Sequence, residues 1–200
     1  MRITGGQLKG RKLSVPKSGV RPTQERVREA LFSSIAAAIP DACVLDLFAG
    51  TGAFGLEAWS RGAALVRWVE SDPRAFRMLR QSVRELCGPD VARGCLQIDV
   101  FRLLRHPGGN APFALPGGDN AALFDFILAD PPYDRHDPAF DLDGFLTGLA
   151  VTGWLKPTGV LVFEQRSNQE AREHPQWSVL RERTYGEARI VYYQAKTDNE

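Results

Sequence analysis

Cysteine is scarce in this chain: Cys43, Cys87 and Cys95 are the only three in 200 residues. Their number is odd and their spacing forms no C-x-x-C or Cys/His pattern, which excludes a disulfide framework and a sequence-local zinc site. Histidine is equally rare. His106, His136 and His174 are scattered beside Pro or Asp in turn-like sequence, so no metal site is expected. No apolar run reaches the length of a membrane span. The start, MRITGGQLKGRK, is basic but lacks the apolar stretch of a signal peptide, and a cytoplasmic protein is expected. A strong charge of either sign is also missing, since the net charge is +1.

That small net charge hides an asymmetry. Residues 1–28 hold eight Lys and Arg against Glu25 alone, a net of +7, which leaves −6 for the remainder. A basic start on an acidic body points to an anionic partner, or else to a solvated terminus. The hydrophobic content of 44% suits a single globular domain.

Patterning along the chain is that of an α/β protein. Residues 1–20, broken by Gly5-Gly6, Gly10 and Gly19, read as a small hairpin. Pro22-Thr23 opens a helix with Val27, Leu31, Ile35 and Ala38 in helical period, ended by Pro40-Asp41. Strands are expected at 42–45, 65–69, 95–98, 124–129 and 160–163. The helices between them pass through Leu56–Trp59, Phe76–Leu86 and Phe145–Leu149. A turn is expected at Lys156-Pro157-Thr158-Gly159. Two last strands flank Gly186. The alternation predicts a mostly parallel sheet with helices on both faces and an antiparallel C-terminal hairpin at one edge. Residues 105–121, rich in Gly and Pro, read as a long loop.

Two motifs carry chemistry. DLFAGTGAFG contains Gly50-Thr51-Gly52-Ala53-Phe54-Gly55, a literal G-x-G-x-x-G after a strand, the spelling of a dinucleotide site. Asp46 stands where a pyrophosphate would have to approach. Glu70, Asp99, Asp130 and Glu164 likewise follow apolar runs, so a negative rim is expected along the carboxyl edge of the sheet. Such a rim repels a diphosphate. It suits S-adenosylmethionine, a ligand with a sulfonium, an ammonium and a ribose. Glu70 is placed to accept from the ribose hydroxyls, and Asp99 from the adenine amino group with Val100 behind the ring. Asp46 is placed to face the ammonium, while Gly50 and Gly52 let the backbone come close.

The second motif is Asp130-Pro131-Pro132-Tyr133. Two prolines hold the chain extended and remove two amide donors, leaving the Pro131 carbonyl beside the Asp130 carboxylate. Together with the face of Tyr133 these suit the exocyclic amine of a nucleobase. Accepting both of its hydrogens aims the nitrogen lone pair at a methyl donor, and acceleration comes from positioning and electrostatics.

DLFAGTGAFGLEAWSRGA, VESD and LADPPY, preceded by RPTQERVREALF and a basic start containing ITGGQLKGRKL, resemble the bacterial 16S ribosomal RNA guanine-N2 methyltransferase family. The glycine loop and DPPY are shared by many amino-methyltransferases; RPT…VREALF and SRGA are the more specific parts. The resemblance implies a Rossmann-like class I methyltransferase with a seven-stranded sheet over residues 22–200, and a basic extension over 1–21. It implies transfer of methyl from S-adenosylmethionine to the N2 of one guanosine in 16S rRNA, within the 30S subunit or an assembly intermediate, by a monomer. Cofactor positions implied are Asp46, Phe48, Gly50, Gly52, Glu70, Asp99, Val100 and Asp130. Asp130, Pro131, Pro132 and Tyr133 match the catalytic loop, and Lys9, Arg11, Lys12 and Arg21 would meet RNA phosphates. A DNA adenine-N6 or cytosine-N4 methyltransferase is the first alternative, though no residues remain for a target-recognition domain. A NAD-dependent oxidoreductase and a non-catalytic RNA-binding protein are the others.

Overall fold

The computed structural model describes residues 1–13, 22–105, 124–132 and 140–196. Tyr133, Arg21 and nearly all of the 105–121 loop lie outside the described residues. One seven-stranded sheet organises the chain. Its strands are β1 (Cys43–Leu47), β2 (Leu65–Glu70), β3 (Cys95–Gln97), β4 (Phe124–Ala129), β5 (Leu155–Arg166), β6 (Trp177–Tyr185) and β7 (Ala188–Ala195). Their spatial order is β3-β2-β1-β4-β5-β7-β6. The first five run parallel, and β7 pairs antiparallel with both β5 and β6. The chain leaves β1 toward β2 on one side, and β4 takes the other. The gap between β1 and β4 is thus the switch point where open α/β sheets bind ligands.

Helices α1 (Pro22–Ser34), α2 (Ala53–Ser60) and α3 (Pro73–Cys87) cover one face of the sheet, and α4 (Val100–Leu104) and α5 (Leu142–Thr152) the other. The two cores follow strand alternation. Val44, Val66, Trp68, Leu128 and Val162 point to the first face; Leu45, Leu47, Val69, Ile127, Leu161 and Phe163 point to the second. Asp72 starts α3 as its sequence predicts: its carboxylate accepts from the Arg74 and Ala75 amides, with Pro73 in the first turn.

Residues 1–13 do form a small hairpin. Arg2 bridges Lys12 antiparallel, and the Ile3 amide donates to the Arg11 carbonyl at 3.0 Å. It is firmly attached, since Ile3 and Leu13 are buried in the same core as α1 and α2.

Several expectations shift. The helical stripe on the first helix does not continue to Ala38, which is exposed; α1 stops at Ser34, a short 3-10 turn follows, and Ile39 is buried instead. A five-residue helix, α4, for which no element was expected, follows the third strand, and Asp99 caps it through the Arg102 amide at 2.8 Å. Lys156–Gly159 is no turn but the start of β5, where a register shift opposite Phe124 to Phe126 absorbs the Pro and Gly. The acidic rim is likewise uneven. Asp46 lies inside β1, opposite Trp68 and Leu128, and Glu164 lies inside β5, opposite Ile190. Only Glu70 ends its strand and only Asp130 directly follows one.

Candidate active site

The glycine loop joins β1 to α2 at the switch point. Its shape is set by backbone bonds from Gly52 to the Ala49 carbonyl at 2.7 Å and from Ala49 to the Val69 carbonyl at 2.9 Å. Gly52 has φ +78, a conformation side chains resist, and a Cβ there would lie 2.3 Å from Leu79 Cδ1. Gly55 has a different reason to be glycine. Its Cβ would stand 2.1 Å from Trp68 Nε1, so α2 can lie on β2 only without a side chain at this position. Beside Gly50 there is room: a Cβ would meet nothing closer than 4.0 Å.

Asp46 is 2% exposed and its Oδ2 accepts from the Gly55 amide at 2.8 Å. That amide belongs to the first turn of α2, the group that would face a pyrophosphate in a dinucleotide site. Here a carboxylate of the protein already occupies it. Burial holds the Asp46 carboxyl up at about 8, against the Gly55 bond and helped by the charges of Asp130 and Glu70.

Glu70 is a tether. Its two oxygens accept from the Gly50 and Asp72 amides, each at 2.7 Å, tying the glycine loop to the end of β2. Both bonds are to backbone, so lone pairs remain for a diol. Asp99 is exposed with one oxygen committed to its cap, and Val100 is buried at 2% exposure. Phe48, at φ +59, packs into an aromatic group with Phe140 and Phe145, at ring distances of 5.6 and 6.0 Å. Phe140 in turn contacts Phe101 and Phe163. These rings floor the site from the α5 side. Of these rings the sequence pointed only to Phe48; the other four come from separate elements that the fold brings to it.

Asp130 follows β4, with Pro131 buried and Pro132 exposed. Burial pushes the Asp130 carboxyl up to about 7. Register aligns Ala129 with Phe163, which puts Asp130 level with Glu164 on the adjacent strand. Burial, and then the Asp130 charge, push Glu164 up to about 8. A small cavity of about 10 Å³ reaches Glu164 between Leu31 and Phe54 on the helices and Val162 and Ile190 on the sheet.

Lys9, Arg11 and Lys12 are exposed on the N-terminal hairpin. The hairpin is held by a residue that no motif reading singled out. Glu57 on α2, wholly buried, accepts from the Thr4 amide (2.9 Å), the Thr4 hydroxyl (2.7 Å) and the Gly5 amide (2.8 Å). It also accepts from Arg28 Nε (3.3 Å) and Arg61 Nε (3.0 Å). Arg28, 2% exposed, donates on to the Arg2 carbonyl at 2.6 Å. Ser60 adds a bond from the Leu8 amide at 2.8 Å. The stretches VREALF, SRGA and TGG thus meet in one network. Their shared place in the resemblance was the only signal, and it carried no role.

Relatives agree with this architecture. The family model described as conserved hypothetical protein 95 matches residues 1–194. The chain is 34% identical over 202 residues to ribosomal RNA small subunit methyltransferase D of Escherichia coli strain K12, covering 100% of this chain and 92% of that one. It is 32% identical to the protein of the same name from Haemophilus influenzae, covering 97% and 93%. A solved Escherichia coli structure assigned as a methyltransferase superposes with a TM-score of 0.77 at 30% identity, over 98% of both chains. The fold is that of class I methyltransferases.

Proposed function

From the premise that the chain belongs to the conserved hypothetical protein 95 family, we propose that it methylates N2 of a guanosine in 16S rRNA, using S-adenosylmethionine. The coarser statement, that it is a methyltransferase of small-subunit rRNA, rests on full-length relatives of that name. The observation that carries the cofactor is the Asp46–Gly55 bond. It fills the anion position at the start of α2, which disfavours NAD, while the open space at Gly50 leaves a cradle for a ligand. S-adenosylmethionine supplies an electrophilic methyl on a sulfonium. Asp46 and Glu70 bring carboxylates toward its cationic and ribose ends. Asp130 and the Pro131 carbonyl take the hydrogens of the acceptor amine, with Tyr133 as the stacking face. Isothermal titration tests the cofactor: S-adenosylhomocysteine should bind, and NAD binding in its place would overturn the assignment.

Protonation gives a second check. Asp46 has a raised carboxyl pKa, at about 8, and a cationic ligand favours its ionised form. Binding therefore expels protons, and affinity for S-adenosylmethionine should rise from pH 6 to 8.5. Titrations in buffers of different ionisation enthalpy read the proton release directly; none released would contradict this assignment.

The RNA contacts proposed are Lys9, Arg11, Lys12 and Arg21, on a monomer acting in the cytoplasm on the small subunit or an assembly intermediate. Replacing Lys9, Arg11 and Lys12 together by Gln should weaken RNA binding. The slope of log affinity against log salt should flatten by roughly 2–3. An unchanged slope would mean that the hairpin is merely solvated. Substitution is the right test because deleting the hairpin would also expose core around Ile3 and Leu13.

A further inference from the structure

We infer that α3 presents a second RNA-binding surface, a stripe of arginines that extends the rRNA contact beyond the N-terminal hairpin. This rests on the rRNA-methylation reading above and adds to it where more of the substrate lies. Arg74, Arg77, Arg80 and Arg84 are all exposed. At about 3.6 residues per turn they share about 120° of arc and cover about 15 Å of helix. The opposite side of α3 carries Phe76, Leu79, Val83 and Leu86, which pack into the core.

The stability of α3 does not account for the stripe. Arginines three and four apart repel one another on a helix. Arg74 and Arg77 also stand near the N-terminal end, where the helix dipole disfavours cations. The acidic side chains on α3 and at its ends are engaged elsewhere. Asp72 caps the first turn, Glu85 accepts from Gln81 at 2.8 Å, and Asp90 pairs with Arg93. None of the four arginines forms a salt bridge among the described residues. The chain beyond residue 28 is acidic overall, yet α3 holds four arginines, no lysine and a single acid, Glu85. Arginine suits phosphate, which its planar fork can meet with two hydrogen bonds.

Position favours RNA as the anion. The Asp72 amide, just before α3, donates to Glu70, and Glu70 also holds the Gly50 amide. Arg74 therefore stands near the glycine loop, and the stripe leads away from it. α3 packs on β2 and β3, and α2 on β1 and β2. The hairpin is held on α2 and α1 through Glu57, Ser60 and Arg28, and all of these elements lie on one face of the sheet. Hairpin and stripe thus flank α2 on the side where one RNA can reach both. A membrane surface is the poorer partner, because the apolar side of α3 is already buried in the core.

The test combines Arg74→Gln, Arg77→Gln, Arg80→Gln and Arg84→Gln, and measures binding to unmodified small subunits and to 16S rRNA extracted from them. The slope of log affinity against log salt should flatten by roughly 3 on both. KM for small subunits should rise. The Tm, S-adenosylhomocysteine affinity and single-turnover rate at saturation should stay at wild-type values. Lysine at the same four positions should keep the slope. Arg105→Gln with Arg172→Gln, on the side of α4 and α5, should leave it nearly unchanged. An unchanged slope for the α3 variant would overturn the inference and leave a solvated helix face. Equal flattening per charge by the Arg105 and Arg172 changes would also overturn it, since overall charge alone would then explain the effect. A raised KM on subunits with no change on extracted rRNA would assign the stripe to a protein instead. If wild type neither binds nor methylates rRNA, the functional reading itself falls.

Discussion

Asp130→Ala should bind S-adenosylhomocysteine with near wild-type affinity and lose methyl transfer by about 10²–10⁴-fold, the range for removing a positioned proton acceptor. The cofactor loop owes its shape to Gly52, Asp46 and Glu70, through bonds that do not involve Asp130. Asp130 instead lies at the end of β4, level with Glu164 on the adjacent strand. Removing its carboxylate takes away one of the two acceptors for the amine hydrogens, and the nitrogen lone pair then stays delocalised into the ring. The loss should appear in kcat more than in KM, because the interaction strengthens as the amine pyramidalises. Single-turnover transfer to rRNA measures it. Undiminished turnover would remove Asp130 from the chemistry.

Glu57→Ala is expected to cost about 3–5 kcal/mol of stability, the usual penalty for breaking a buried ion pair from one side. Five donors converge on that carboxylate, and the substitution leaves the Arg28 guanidinium buried without its counter-charge. The Tm should fall by roughly 10 °C or more for a domain of this size. Removing both charges, as Glu57→Leu with Arg28→Leu, should recover much of the loss. The exposed pair Arg93–Asp90 is the contrast: its side chains are 80% and 84% exposed, and Asp90→Ala should leave the Tm almost unchanged. A Glu57→Ala protein as stable as wild type would mean that the network only decorates a hairpin held by Ile3 and Leu13.

Much of the scaffold was legible because it rests on local signals. Phe124–Ala129 is apolar except for Asp125 and is closed by Asp130, and it is β4 to the residue. Asp72-Pro73 marks the start of α3 for the same kind of reason, a cap that bonds only its own first turn. Errors came where tertiary contacts overrode local chemistry. Lys156-Pro157-Thr158-Gly159 has turn composition, yet it lies within β5 as an irregularity between Leu155 and Val160, which pair with Phe124 and Phe126 of β4. The site followed the same division. The glycine loop and DPPY are contiguous in sequence and could be read. Glu57 could not, because its partners lie 29 to 53 residues away or on the next turn of its own helix. Nor could the level pairing of Asp130 with Glu164, which depends on strand register. Asp46 shows both sides: its clash with a pyrophosphate was visible in sequence, but its bond to Gly55 was not.

Nucleoside mass spectrometry of rRNA is the most direct test of the central claim. Small subunits from Escherichia coli cells lacking their own small subunit methyltransferase D are incubated with the purified protein and isotopically labelled S-adenosylmethionine. The 16S rRNA is then digested to nucleosides. The account predicts label in N2-methylguanosine, one per 16S rRNA, and none when Asp130→Ala replaces wild type. Label in N6-methyladenosine or in a cytidine, or an active wild-type protein that labels DNA and not rRNA, would contradict it.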